Sequence, residues 1–126
     1  MHTPVNTPNA PKPLAKYNQA VIAGNLIFVS AFFAQDPKTG KLVTENIEAE
    51  TIQVLENVKA VLKEAGADFN NVVKLSIYMK DLKDYATVNE IYGRYVSEPF
   101  PARETFQVAG LPLNVNIEIA VIAVRP

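Results

Sequence analysis

From Phe100 to Val108 the chain reads Phe-Pro-Ala-Arg-Glu-Thr-Phe-Gln-Val, and Arg103 is the one group in it able to grip an anion. Pro99 and Pro101 hold the backbone extended and deny it a helix. In a strand that starts here, Arg103, Thr105 and Gln107 share one face, and Phe106 and Val108 point the other way. A guanidinium at the mouth of a strand, beside a hydroxyl, is shaped to hold a carboxylate or phosphate through two parallel hydrogen bonds. A lone arginine is more often a solvated surface residue. The elements around it must therefore supply the rest of a site.

Composition narrows the chemistry. The 126 residues make one domain of ordinary size, and 48% are hydrophobic, enough for a core. Twelve basic and 13 acidic residues are well mixed, for a net charge of −1. No basic block tracks a phosphate backbone, so nucleic acid is not an expected partner. There is no cysteine, and the single histidine is His2, in a proline-rich start. A thiol nucleophile, a disulfide framework and the usual zinc sets are excluded, and a Ser-His-Asp triad would have to recruit a loose terminus. No apolar run approaches a membrane span and no charged-then-apolar leader opens the chain, so the cytoplasm is the expected compartment.

Residues 1–14 carry Pro4, Pro8, Pro11 and Pro13 and read as an extended arm with little structure of its own. Gly24-Asn25 between two β-prone runs reads as a tight hairpin turn. In the second run, Leu26, Phe28 and Phe32 lie on one face and Ile27, Val29, Ala31 and Phe33 on the other, so both faces need cover. Ser30 is its only polar side chain, and a buried serine ordinarily bonds a neighbouring backbone group. A proline-glycine turn spans Asp36–Lys41. Asn46 then caps a helix, with Glu48 and Glu50 in the first turn, an apolar stripe from Ile47 to Ala65, and Gly66 as the stop.

From Val72 to Lys80 the chain alternates, with Val73, Leu75, Ile77 and Met79 facing one way. Asp81 or Asp84 caps a second helix, with a buried stripe of Tyr85, Val88, Ile91 or Tyr92, and Tyr95. Asn89 sits beside that stripe. Leu111–Asn114 is a loop, and a last strand runs from about Val115 to Val124. The order β-β-α-β-α-β-β makes a single layer of sheet with two helices, which can cover only one face. The other face needs a cover from outside the chain. Self-association is the economical answer, and any site at the sheet edge then lies between subunits.

The blocks Tyr17-x-Gln19-Ala20-Val21, Gly24-Asn25-Leu26-x-Phe28-Val29-Ser30, Ile47-Glu48-Ala49-x-Thr51 and Gln53-Val54-Leu55-Glu56-Asn57 follow one another in order. Ala65-Gly66-Ala67, Val72-Val73-Lys74, Val88-Asn89-x-x-Tyr92, Phe100-Pro101-Ala102-Arg103 and Glu118-Ile119-x-x-Ile122-Ala123-Val124 come next. In order and spacing they resemble the reactive intermediate deaminase family, also called RidA or YjgF, with the older label endoribonuclease L-PSP. The resemblance covers residues 10–126. It implies a chorismate-mutase-like α/β (α+β) fold and a homotrimer with clefts between subunits. It also implies hydrolysis of enamines and imines such as 2-aminoacrylate and 2-iminobutanoate to 2-keto acids and ammonia, with no metal or organic cofactor.

On that resemblance Arg103 clamps the substrate carboxylate, and Ser30 and Tyr17 line the cleft with their hydroxyls. The backbone around Ala31 and Thr105 adds hydrogen bonds, and Asn89 lies nearby. The sequence departs from the family pattern at several points. The usual Ser-Gly-Gln is Ser30-Ala31-Phe32, which implies a larger or more apolar substrate, and a frequent cysteine is Thr105. The usual Glu-x-Glu of the final strand is Glu118-Ile119-Ala120, so the glutamate thought to position the hydrolytic water is missing. Glu118 points to the same face about 7 Å back along the strand and is the carboxylate left to act. Two other readings stand beside the deaminase of small imino acids: deamination of another intermediate such as 2-aminomuconate, and a trimer that binds carboxylate metabolites without turnover. The ribonuclease of the old label fits poorly with balanced charge and no histidine near Arg103.

Overall fold

The structure, a computed structural model, describes every residue from Met1 to Pro126. Six strands form one mixed sheet: β1 Thr3–Val5, β2 Ala20–Ala23, β3 Leu26–Phe32, β4 Val72–Met79, β5 Ala102–Gln107 and β6 Ile117–Val124, in the order β1-β2-β3-β6-β4-β5. Helix α1, Ile47–Glu64, links β3 to β4, and α2, Tyr85–Tyr92, links β4 to its parallel neighbour β5. The α+β class and single sheet with two helices are as the sequence predicts. Neither helix is long and apolar enough to cross a membrane.

Local chemistry explains the boundaries. Gly24, at φ +60, takes the first turn position between the paired residues Ala23 and Leu26, the place for glycine in a two-residue hairpin. The side chain of Asn46 accepts a hydrogen bond from the Ala49 amide at 2.8 Å, and Gly66, at φ +79, ends the helix. Asp81 caps a 3-10 turn, Leu82–Asp84, that leads into α2. That helix stops at Tyr92, so Tyr95 lies beyond it, packed edge-on against Phe69.

The core sits between the helices and one sheet face. Ile27, Val29, Leu75, Ile77, Met79, Ile117, Ile119, Val121 and Ala123 are buried there against Leu55, Val58, Leu62 and Ile91. Burying each large side chain contributes roughly 1.5–3 kcal/mol relative to exposure. On the other face Leu26, Phe28, Phe106 and Val124 remain 36%, 39%, 52% and 37% exposed. That is the uncovered face the alternation foretold.

Three expectations change. Strict alternation puts Phe32 with Phe28, but Val29 pairs with Val121 and Phe32 with Ile119, so two residues, Ser30 and Ala31, oppose one, Ala120. This bulge returns Phe32 to the helix-covered face, where it is 6% exposed. A second bulge, between Val72 and Lys74, turns Val73 outward, 44% exposed, and puts Val72 in the core.

The arm is also better tied than its prolines indicate. Thr3–Val5 pairs with β2, and the Gln19 side chain, 2% exposed, fastens the segment behind it. Gln19 accepts from the Thr7 amide at 2.7 Å and donates to the carbonyls of Thr7, Ala10 and Pro11. Gln19→Ala leaves these groups without partners and is expected to cost about 2–3 kcal/mol. Urea unfolding measures the loss, and hydrogen exchange at the Thr7 amide should quicken with it.

Candidate functional site

The predicted site residues fall into two groups. The first lines a cavity of about 430 Å³ formed by Leu14, Ala15, Tyr17, Ser30, Ala31, Phe33, Pro112 and Glu118. The bulge in β3 admits Ala31. Ser30 Oγ donates to the Asn18 carbonyl at 2.7 Å, the ordinary satisfaction of a strand serine, and its oxygen keeps acceptor capacity. The Tyr17 hydroxyl accepts from the Leu14 amide at 3.2 Å and has its proton to give. Glu118 is 8% exposed, on the open face of β6, with no ion pair within the chain. Burial pushes its carboxyl above the usual carboxylate range. A protonatable acid thus stands among two hydroxyls.

The second group surrounds Arg103. In the parallel register Arg103, Thr105 and Gln107 pair with Leu75, Ile77 and Met79, which puts Arg103 on the helix-covered face at the sheet edge. There α2 takes hold of it. The guanidinium donates to Asn89 Oδ1 at 2.7 Å and to the Tyr85 hydroxyl, and lies 5.0 Å from the Tyr92 ring centroid and 5.5 Å from that of Tyr85. Cation–π attraction and neutral acceptors fix the fork without neutralising it, and three of its five N–H groups stay free of these bonds. Burial raises the Tyr92 hydroxyl pKa, opposed by the Arg103 charge. A cavity of about 330 Å³ opens beside the guanidinium.

Backbone groups add to this edge. The Val108 amide bonds the Met79 carbonyl at 2.9 Å. By the two-residue repeat of a parallel ladder, the amides of Glu104 and Phe106 also turn to β4, and those of Arg103, Thr105 and Gln107 turn outward. Thr105 therefore offers an amide, while its Oγ1 is buried without a partner and faces neither cavity. Phe32, expected against substrate, belongs to the core instead.

One chain does not bring the two groups together. Arg103 is on the edge strand, Ser30 is three strands away, about 14 Å at the usual spacing, and Glu118 is on the opposite sheet face. Helical periodicity marks Tyr85 and Tyr92 only as core stripe. Their signal was available: Tyr85, Asn89 and Tyr92 fall on one helical face at i, i+4 and i+7, just before the strand that carries Arg103.

Residues 7–125 match the model of a family described as Endoribonuclease L-PSP. The chain is 51% identical over 119 residues to Reactive Intermediate Deaminase A, chloroplastic, of Arabidopsis thaliana, covering 94% of this chain and 64% of that protein's length. It is 41% identical over 121 residues to the 2-iminobutanoate/2-iminopropanoate deaminase of Homo sapiens, covering 96% of this chain and 88% of that protein. The crystal structure of a putative endoribonuclease from Thermotoga maritima superposes with a TM-score of 0.96 at 44% identity, covering 100% of this chain and 99% of the other.

Proposed function

Because the chain belongs to the endoribonuclease L-PSP family, and the relatives above are named a reactive intermediate deaminase and a 2-iminobutanoate/2-iminopropanoate deaminase, we propose that it hydrolyses 2-imino acids and their enamine tautomers to 2-oxo acids and ammonia. The observation that carries this reading is the division of the site into complementary halves. One half offers a fixed cation with spare donors; the other offers an acid and two hydroxyls.

The halves meet across two copies. The uncovered sheet face, with Leu26, Phe28, Phe106 and Val124, is the surface that would pack in a homotrimer; it carries Glu118 of one half-site and is bounded by the edge strand that carries Arg103 of the other. Arg103 of one copy then takes the substrate carboxylate bidentately, and the Thr105 amide of the same edge adds a donor. Tyr17, Ser30 and Glu118 of the neighbour face the C=N bond. Water adds to the imine carbon and one of its protons passes to nitrogen, giving a carbinolamine; its hydroxyl then gives the second proton to nitrogen as the C–N bond breaks, releasing ammonia and leaving the carbonyl. The iminium is already electrophilic, so orientation and one proton relay suffice, and no metal or organic cofactor is called for.

The test generates 2-iminobutanoate with a threonine dehydratase and follows its decay with and without the protein. Decay at the spontaneous rate rejects the reading. Assembly is tested separately. Light scattering is expected to give three times the 13.8 kDa chain mass, and Phe28→Lys, which buries a charge in the packed face, is expected to give monomers and lose turnover. A wild-type protein monomeric at micromolar concentration removes the shared-site account.

A further inference from the structure

We propose that the hollow beside Arg103 is a side-chain pocket that makes the protein prefer 2-imino acids with large apolar side chains over the alanine-derived one. This rests on the reading that Arg103 takes the substrate carboxylate. The pocket runs from the guanidinium along Tyr92, Gly93 and Val96 to Phe100 and Pro101. Apart from Asn89, which is engaged with Arg103, its other walls are apolar or aromatic, and Tyr92 and Val96 are 7% and 8% exposed. Phe100, 60% exposed, forms the outer wall and has surface left to bury.

A carboxylate on Arg103 places the α-carbon and its substituent at the mouth of this hollow. At about 330 Å³ the hollow is far larger than a methyl or ethyl group needs. An apolar concavity with one charged group at its mouth selects ligands with an acid head and an apolar body. Gly93 lines the hollow without a side chain. Its backbone is ordinary helix, at φ −61, and a Cβ there would come no nearer than 3.4 Å to the Glu90 carbonyl oxygen. The backbone does not require glycine here; what glycine provides is space.

The experiment measures binding of 2-oxo acids, the products, to the full-length protein by calorimetry, so it does not depend on turnover. Pyruvate, 2-oxobutanoate, 4-methyl-2-oxopentanoate and phenylpyruvate are compared. Each buried methylene is worth roughly fourfold in affinity, so 4-methyl-2-oxopentanoate is expected to bind at least about tenfold tighter than pyruvate. Gly93→Leu fills the hollow and is expected to reduce that ratio to about one, with its fold checked by circular dichroism. Phe100→Ala, which strips the outer wall without touching the helix, should lower the same ratio severalfold. A flat series in the wild type, or a ratio unmoved by either variant, overturns the pocket. Imine decay run in parallel separates the two claims. Turnover with no preference for larger substrates leaves the deaminase standing and removes the pocket. Graded binding without turnover does the reverse, failure of every oxo acid to bind removes the pocket, and that failure together with decay at the spontaneous rate removes both.

Discussion

Replacing Arg103 with alanine is expected to lower kcat/KM for 2-iminobutanoate by roughly a thousandfold, the loss of two charge-assisted hydrogen bonds worth about 1.5–3 kcal/mol each. The effect is large because the fork is already in place. Asn89 and the Tyr85 hydroxyl hold two of its N–H groups, and the Tyr92 ring backs the plane, so little orientation remains to be fixed when substrate arrives. Arg103→Lys keeps the charge but not the planar fork, and should recover only a small part of the loss. Arg103 is only partly buried and lies outside the core, so the alanine variant is expected to melt close to the wild type. The dehydratase-coupled decay assay reads the change directly. Wild type and Arg103→Ala with equal kcat/KM would remove the clamp and with it the proposed mechanism.

The parts of this site that local chemistry controls were legible in the sequence. The prolines keep a helix out of the entry, although Glu98 and Pro99 form a bend where an extended run was expected; alternation puts Arg103 and Thr105 on one face, and the observed register agrees. Asn46, Gly66 and Gly24 act as cap, stop and turn because each solves a backbone problem on the spot. Phe32 was misplaced because a bulge is invisible to alternation: Ser30 and Ala31 both fit a strand, and only pairing with β6 reveals two residues against one. The expectation of a roomier substrate, tied to Ala31 and Phe32, therefore loses its Phe32 part, while Ala31 does line the cavity; the hollow along Gly93 is a different reason for the same substrate class. The arm was misjudged for a related reason. Four prolines argue against structure locally, but Gln19 collects the arm's backbone groups from a distance that no local pattern reports. Tyr85 and Tyr92 were seen as stripe because a helical period identifies the buried face without saying what lies opposite. Here the partner is a cation on the next strand.

Glu118→Gln is expected to slow kcat about a hundredfold or more, the usual worth of a positioned acid or base, while making the protein more stable at neutral pH. Both effects have one origin. Glu118 is buried on the open face with no cation in contact, and burial raises its carboxyl above the ordinary value of 4.5. Between that value and the raised one, the folded chain keeps a proton that the unfolded chain has released. Stability therefore falls as pH rises through this window and is level above it. Glutamine cannot ionise, so the variant should lose this slope, and urea unfolding followed from pH 4 to pH 8 compares the two curves. The proposed reaction draws on the same proton. With Ala120 opposite the bulge, where the family resemblance places its usual second glutamate, Glu118 is the only carboxylate lining the cavity of Tyr17 and Ser30, and so the group available to pass a proton from water to the leaving nitrogen. With ground-state binding assigned to Arg103 in the proposed mechanism, KM should move little while kcat falls, and the acid-side dependence of kcat should flatten. A stabilised variant that keeps full kcat with an unchanged pH profile would show that the buried acid burdens the fold without serving the reaction.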